Sequence, residues 1–161
     1  MKIKQLFIID PPEKLTLDKD TSALLINCAL EKGHEVHITT WHHISLAGTD
    51  LISSTWKLSS PLSQDSAADI SFSSKEDMEL FDFIHIRKDP PYDSGYHSLM
   101  LMLKHIRHPK VINSPDALMR FNEKESILYF PDYITDTLIS SSQDEITGFI
   151  SSVGGQAVLK P

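Results

Sequence analysis

Residues 3–40 read IKQLFIIDPPEKLTLDKDTSALLINCALEKGHEVHITT, and this stretch decides the fold class. IKQLFIID reads as a first strand whose end, the apolar run LFII before an acid, is buried on both faces. PPEKLTLDKDTS is a loop. ALLINCALEKG is helical, with Asp20 or Thr21 placed to cap its start and Gly33 placed to stop it in the left-handed conformation. HEVHITT is the second strand. Strand, helix and strand in that order predict a parallel pair joined by a right-handed crossover.

The same alternation continues. LFDFIHI returns as a strand, and YHSLMLMLKHIR is a helix whose Leu99, Met102, Leu103 and Ile106 share one stripe. KVIN is a short strand, SPDALMRF a helix opened by proline, and NEKESILYF a further helical stretch. From Tyr133 the pattern restarts: strand TDTLISS, helix QDEITGFISSVGG, strand QAVLKP. Residues 41–75 break the rhythm. They hold a serine-rich polar excursion with one or two short edge strands expected at most, and possible mobility.

Bulk properties bound the function. The chain has 161 residues, 40% of them hydrophobic, and a net charge of −7, which is enough for a globular core and argues against nucleic acid as a partner. The single cysteine, Cys28, excludes an internal disulfide and reads as an inert helical thiol. No run approaches the ~20 apolar residues of a membrane span, and a cytoplasmic location is expected. The histidines do not cluster at metal-ligand spacing, and no metal ligands are assigned in this chain. Nucleophile-elbow, phosphate-loop and dinucleotide glycine motifs are absent.

Open α/β sheets bind ligands at the carboxyl ends of their strands. Three such ends are unusual here: Asp10-Pro11-Pro12 with Lys19 to Ser22 behind it, the run RKDPPYD from Arg87 to Asp93, and Asn113-Ser114-Pro115. The two prolines at 90 and 91 fix φ and stiffen the chain that carries Arg87 and Asp89. Arg87 can grip a carboxylate or phosphate in a bidentate fork, and Asp89 can hold that arginine or receive an ammonium. A structural Arg–Asp pair that merely locks a loop explains the spacing equally well. Lys160 at the end of an apolar strand fits a polyphosphate partner or a snorkelling surface lysine.

Taken together, IIDPPEKLTLDKDTS, RKDPPYD, VINSPDALMRFNEK and AVLKP resemble the N-terminal part of bacterial-type glutathione synthetases, members of the ATP-grasp superfamily. The resemblance implies a Rossmann-like pre-ATP-grasp domain with a mostly parallel sheet over residues 1–121, and the beginning of an ATP-binding domain over 122–161. It implies Arg87 as a catalytic residue, Asp20, Ser22, Asp89 and Asn113 as substrate-binding, and Lys124 and Lys160 as contacts to nucleotide phosphates. The implied reaction joins γ-glutamylcysteine to glycine through an acyl phosphate, with ATP and Mg2+ as cofactors and the metal ligands outside this chain. The full-length enzyme would be a homo-oligomer with small-molecule substrates. This chain alone would hold half an active site and be inactive. A related ATP-grasp carboxylate–amine ligase, or a standalone peptide-binding domain without catalysis, is the alternative. Asp136 departs from the family by standing where a proline is usual.

Overall fold

The computed structural model describes residues 2–16, 19–63, 70–71, 74–89, 91–121 and 124–160. They fall into two compact units, Met1–Arg120 and Phe121–Pro161.

In the first unit, strands β1 (Lys4–Ile9), β2 (Glu35–Thr40), β3 (Ile44–Ala47), β4 (Asp50–Lys57), β5 (Ser74–Asp77), β6 (Phe83–Arg87) and β7 (Lys110–Ile112) form one sheet. The order is β3-β4-β2-β1-β6-β7, with β5 against β4. The four strands β2-β1-β6-β7 are parallel, and the β3-β4-β5 end is antiparallel. Helices α1 (Thr21–Glu31), α2 (Ser94–Leu103) and α3 (Pro115–Arg120) complete the unit. It is an α/β fold with a mostly parallel, Rossmann-like core.

Both faces of the sheet are covered, and β1 shows why its sequence runs apolar from Leu6 to Ile9. Its Leu6 and Ile8 join a core with Ile84, Ile86, Leu99, Met100 and Leu103, beneath α2. Its Phe7 and Ile9 join a second core with Ala23, Ile26, Ala29, Val36 and Ile38, beneath α1. The period-2 alternation of a strand sends every second residue to each side.

The expected helix start and stop are both present. The Asp20 carboxylate accepts from the Ser22 N–H at 2.6 Å and the Ala23 N–H at 3.4 Å. Gly33 sits at φ +74°, a left-handed backbone that suits glycine. On α2 the buried stripe is Tyr96, Leu99, Met100 and Leu103, with Met102 and Ile106 at its margin. Cys28 is a half-buried free thiol on α1.

Residues 41–75 hold β3 and β4, within the one or two strands expected, and the first two residues of β5. β4 is not an edge strand: it pairs with β2, β3 and β5, and it buries Leu51, Ser53 and Thr55 on one face. Small hydroxyls replace the usual apolar residues because they find partners. Ser53 Oγ donates to Thr39 Oγ1 at 2.9 Å, Thr39 Oγ1 donates to the Ser54 carbonyl at 2.8 Å, and Thr55 Oγ1 pairs with His37 Nδ1 at 3.0 Å. A buried polar atom that is satisfied carries little penalty. Residues 64–69, 72 and 73 lie outside the described residues.

In the second unit, residues 126–129 form a 3-10 turn where an α-helix was expected, and helix α4 (Gln143–Ser152) follows the expected pattern. Its cap is Ser142, and Gly154 and Gly155 have φ +91° and +81°. The two strands expected at TDTLISS and QAVLKP do not form among the described residues, and Val158 and Leu159 are exposed. A strand needs a neighbour for its backbone groups, and none is present among the described residues of this unit.

The sheet's far edge is charged and makes the first unit acid-sensitive. The Lys57 ammonium, 2.9 Å from Glu35, is the main cause that holds Glu35 down to about 2, with His37 contributing and burial opposing. Burial lowers His37 and His85, the latter helped by the Arg87 charge. Both histidines take a proton less readily when folded than when unfolded. Their contribution is therefore lost as pH falls below about 6.5. That of Glu35 is present above about 4.5 and lost between pH 4.5 and 2, on the order of 1 kcal/mol because its lysine partners are solvent-exposed. Urea midpoints should fall from pH 7.5 to 5.5 and again to 3.5, and a His37→Gln, His85→Gln double variant should flatten the first drop.

Candidate functional site

The parity of β6 aims Arg87. Ile84 and Ile86 face α2, so His85 and Arg87 face α1. His85 stacks flat on Phe7 at 4.2 Å between ring centroids, which fixes the strand's orientation one residue pair before Arg87. Arg87 then pairs in register with Ile9, the last residue of β1, at the carboxyl rim. There its Nε donates to Ser22 Oγ at 3.1 Å and its Nη2 donates to Thr21 Oγ1 at 2.6 Å. The guanidinium is thus moored on the first turn of α1, beside the amides that Asp20 caps. Two of its five N–H donors are used in these bonds, and the remainder are available to a ligand.

Asp89 does not hold Arg87. Among the described residues no ion pair joins them. The Asp89 backbone N–H instead donates to Asp10 Oδ2 at 2.7 Å, which ties the exit of β6 to the end of β1. The Lys88 ammonium lies 5.2 Å from the centre of the Tyr96 ring and donates to the Asp89 carbonyl at 3.0 Å. Pro90, half of the stiff exit expected from the sequence, lies outside the described residues.

Between these strand ends opens a cleft of about 590 Å³, within the ~300–1,000 Å³ typical of small-molecule sites. Lys14, Lys19 and Lys88 line it with Asp10, Asp20, Asp89 and Asp93. A cleft lined by both signs suits a small ligand that carries carboxylates and an ammonium together. Its apolar wall is Trp41, with His42 beside it.

The sequence-predicted residues divide accordingly. Arg87 bonds Ser22 and Asp20 caps the Ser22 amide, so these three meet; Asp20 and Asp89 line the cleft, whereas Arg87 and Ser22 stand behind its lining residues. Asn113 is exposed at the end of β7 and is not among the cleft's lining residues. Lys124 and Lys160 are exposed residues of the second unit. Among the described residues no three His, Cys, Asp or Glu side chains gather to hold a metal. Trp41, Lys14 and Lys88 were not singled out. The signal for Trp41 lies in TTWHH, the polar carboxyl end of β2, where residues 41–43 form a 3-10 turn.

The family described as prokaryotic glutathione synthetase, N-terminal domain, matches residues 3–119. Among individual proteins, the glutathione synthetase of Yersinia pestis is 32% identical over 163 residues, covering 99% of this chain and 50% of that protein. That of a Nostoc species is 33% identical over 175 residues, covering 99% and 52%. That of Rhodopseudomonas palustris is 29% identical over 163 residues, covering 100% and 51%. The chain spans about half the length of the curated relatives it matches. The match spans the whole sheet, with the rim at the ends of β1 and β6, and the chain belongs to the prokaryotic glutathione synthetase family, whose N-terminal domain it carries.

Proposed function

We propose that the whole protein is an ATP-dependent ligase that joins γ-glutamylcysteine to glycine, and that this chain supplies the surface receiving the dipeptide. The single observation that carries the reading is the mooring of Arg87 on Thr21 and Ser22, whose chain neighbours Lys88, Asp89 and Asp20 line a mixed-charge cleft. γ-Glutamylcysteine has two carboxylates and an ammonium. The free N–H groups of Arg87, with Lys14, Lys19 and Lys88 nearby, fit its carboxylates. Asp10, Asp89 and Asp93 fit the ammonium. Ser22 and Thr21 hold the guanidinium in one orientation, so less rotamer freedom is lost when the ligand arrives.

Residues 1–121 then act as the pre-ATP-grasp domain and 122–161 as the start of the ATP-binding domain. Lys124 and Lys160 are exposed cations of a kind that suits phosphate oxygens, and ATP, when bound, supplies the phosphoryl group that activates the dipeptide carboxylate. In that reaction Arg87 steadies negative charge on the carboxylate as it is activated. Magnesium finds no assembled donor set among the described residues, so no step is assigned to it here. The family's soluble small-molecule chemistry fits a cytoplasmic, homo-oligomeric enzyme, and no helix among the described residues is long and apolar enough to cross a membrane.

Isothermal titration of this chain with γ-glutamylcysteine should show one saturable site, with α-glutamylcysteine competing poorly because its ammonium and carboxylate are differently spaced. Absence of saturable binding, or equal affinity for the two isomers, would contradict the reading.

A further inference from the structure

Trp41 forms the apolar wall of the cleft, and a residue far along the chain sets its position. It follows β2 directly and opens the 3-10 turn at 41–43. The edge of its indole lies against Gly95, near the start of α2. A Cβ at position 95 would come 2.9 Å from Trp41 Cη2 and 3.1 Å from Cζ2, closer than packed carbon atoms stand. The glycine is not there for its backbone, since its φ is not positive, and glycine is a poor helix former. Close approach of the indole is what remains to explain it. Asp93 frames the contact from the other side. Its Oδ1 accepts from the Tyr96 N–H at 2.8 Å, and the carboxylate lines the same cleft. The His42 ring lies 3.8 Å from the indole, centroid to centroid, with the planes tilted by 34°.

We propose that Trp41 is a specificity-determining residue, held in place by Gly95, and that its indole receives the uncharged side chain of the dipeptide's second residue. The inference rests on the reading of the cleft as a γ-glutamyl dipeptide site. Charged groups dominate the lining, so they recognise the ends of the ligand and tell little about what lies between. Trp41 is the largest side chain among the apolar lining residues, the others being Pro11, Leu15 and Pro91. A CH2–SH group laid on it loses water from both partners and gains a sulfur–aromatic contact.

Two ligands separate the possibilities: γ-glutamylcysteine, and γ-glutamylglycine, which has the same charged groups and no side chain on its second residue. The wild-type chain should prefer the first by about five- to tenfold. Trp41→Ala should bring the two affinities together by weakening γ-glutamylcysteine alone, and Trp41→Phe should restore most of the preference. Gly95→Ala should lower the preference, since its Cβ meets the indole first, at 2.9 Å, with Asp93 Oδ1 the next cleft atom at 3.3 Å. In a Trp56→Phe background Trp41 is the single indole, and Gly95→Ala should red-shift its emission and raise its quenching by acrylamide. The affinity ratio does not depend on how much protein is folded, so a destabilised variant still reports. Equal weakening of both dipeptides by Trp41→Ala, or an unchanged ratio in Gly95→Ala, would overturn the inference while leaving the dipeptide site intact. Failure of the wild type to bind either dipeptide would overturn the site reading and this inference together.

Discussion

Replacing Arg87 by alanine should weaken γ-glutamylcysteine binding about 10- to 100-fold, the loss expected for one or two charge-assisted hydrogen bonds. The effect is large because the guanidinium is already oriented. Its bonds to Ser22 Oγ at 3.1 Å and Thr21 Oγ1 at 2.6 Å are in place without ligand, so binding energy is not consumed in ordering it. Arg87→Lys keeps the charge and loses the fork, and its affinity should stay closer to that of the alanine variant than to wild type. Stability should change by only about 1 kcal/mol, since the two bonds join partly exposed groups at the rim. Titration calorimetry and urea unfolding on the same samples separate the two effects. Binding within twofold of wild type in Arg87→Ala would show that the arginine is a structural tie between β6 and α1.

Ile84→Ala should be the most destabilising of the single changes considered, by about 2–5 kcal/mol. Ile84 has no exposed surface and lies at the centre of the core beneath α2, with Leu6 and Val111 as its strand neighbours. The substitution removes three carbons from a site walled by two strands and a helix, where little can move in to fill the space. The unfolding midpoint should drop by on the order of 10 °C. Because Ile84 sits three residues before Arg87 on the same strand, its loss should also loosen the rim. Leu24→Ala is the control: Leu24 is a large apolar residue on α1 that is 62% exposed, and its truncation should cost under about 0.5 kcal/mol. A drop of less than 1 kcal/mol for Ile84→Ala, read by urea denaturation, would contradict the placement of β6 inside the sheet, between β1 and β7.

The parts of the fold that were legible in the sequence are those whose signals are local. The continuous apolar run LFII of β1 announces burial on both faces, and the Asp20 cap and Gly33 stop bracket α1 within two residues of its bounds. β4 was hidden because its buried positions are Ser53 and Thr55. Their partners are side chains on β2, so only the folded register reveals that they are inside. Position 87 was legible as chemistry but not as geometry. The charge and the prolines marked it, yet the choice between Asp89 and the α1 hydroxyls depends on strand parity and on a contact 65 residues apart in sequence. Trp41 was missed for the same reason, because its defining neighbour is Gly95, across the sheet. The strands expected after Tyr133 failed on a different principle: β propensity is realised only where another strand accepts the hydrogen bonds.

The central claim is that a γ-glutamyl dipeptide docks where Arg87 meets the start of α1. The most direct test is a 15N chemical-shift map of this chain during titration with γ-glutamylcysteine. The account predicts that the largest changes fall on the Arg87 Nε–H and on the backbone amides of Ser22, Ala23 and Asp89. Changes centred on Thr49, Asp77 and Glu79, which line a separate hollow, or an unmoved Arg87 resonance at saturation, would contradict it.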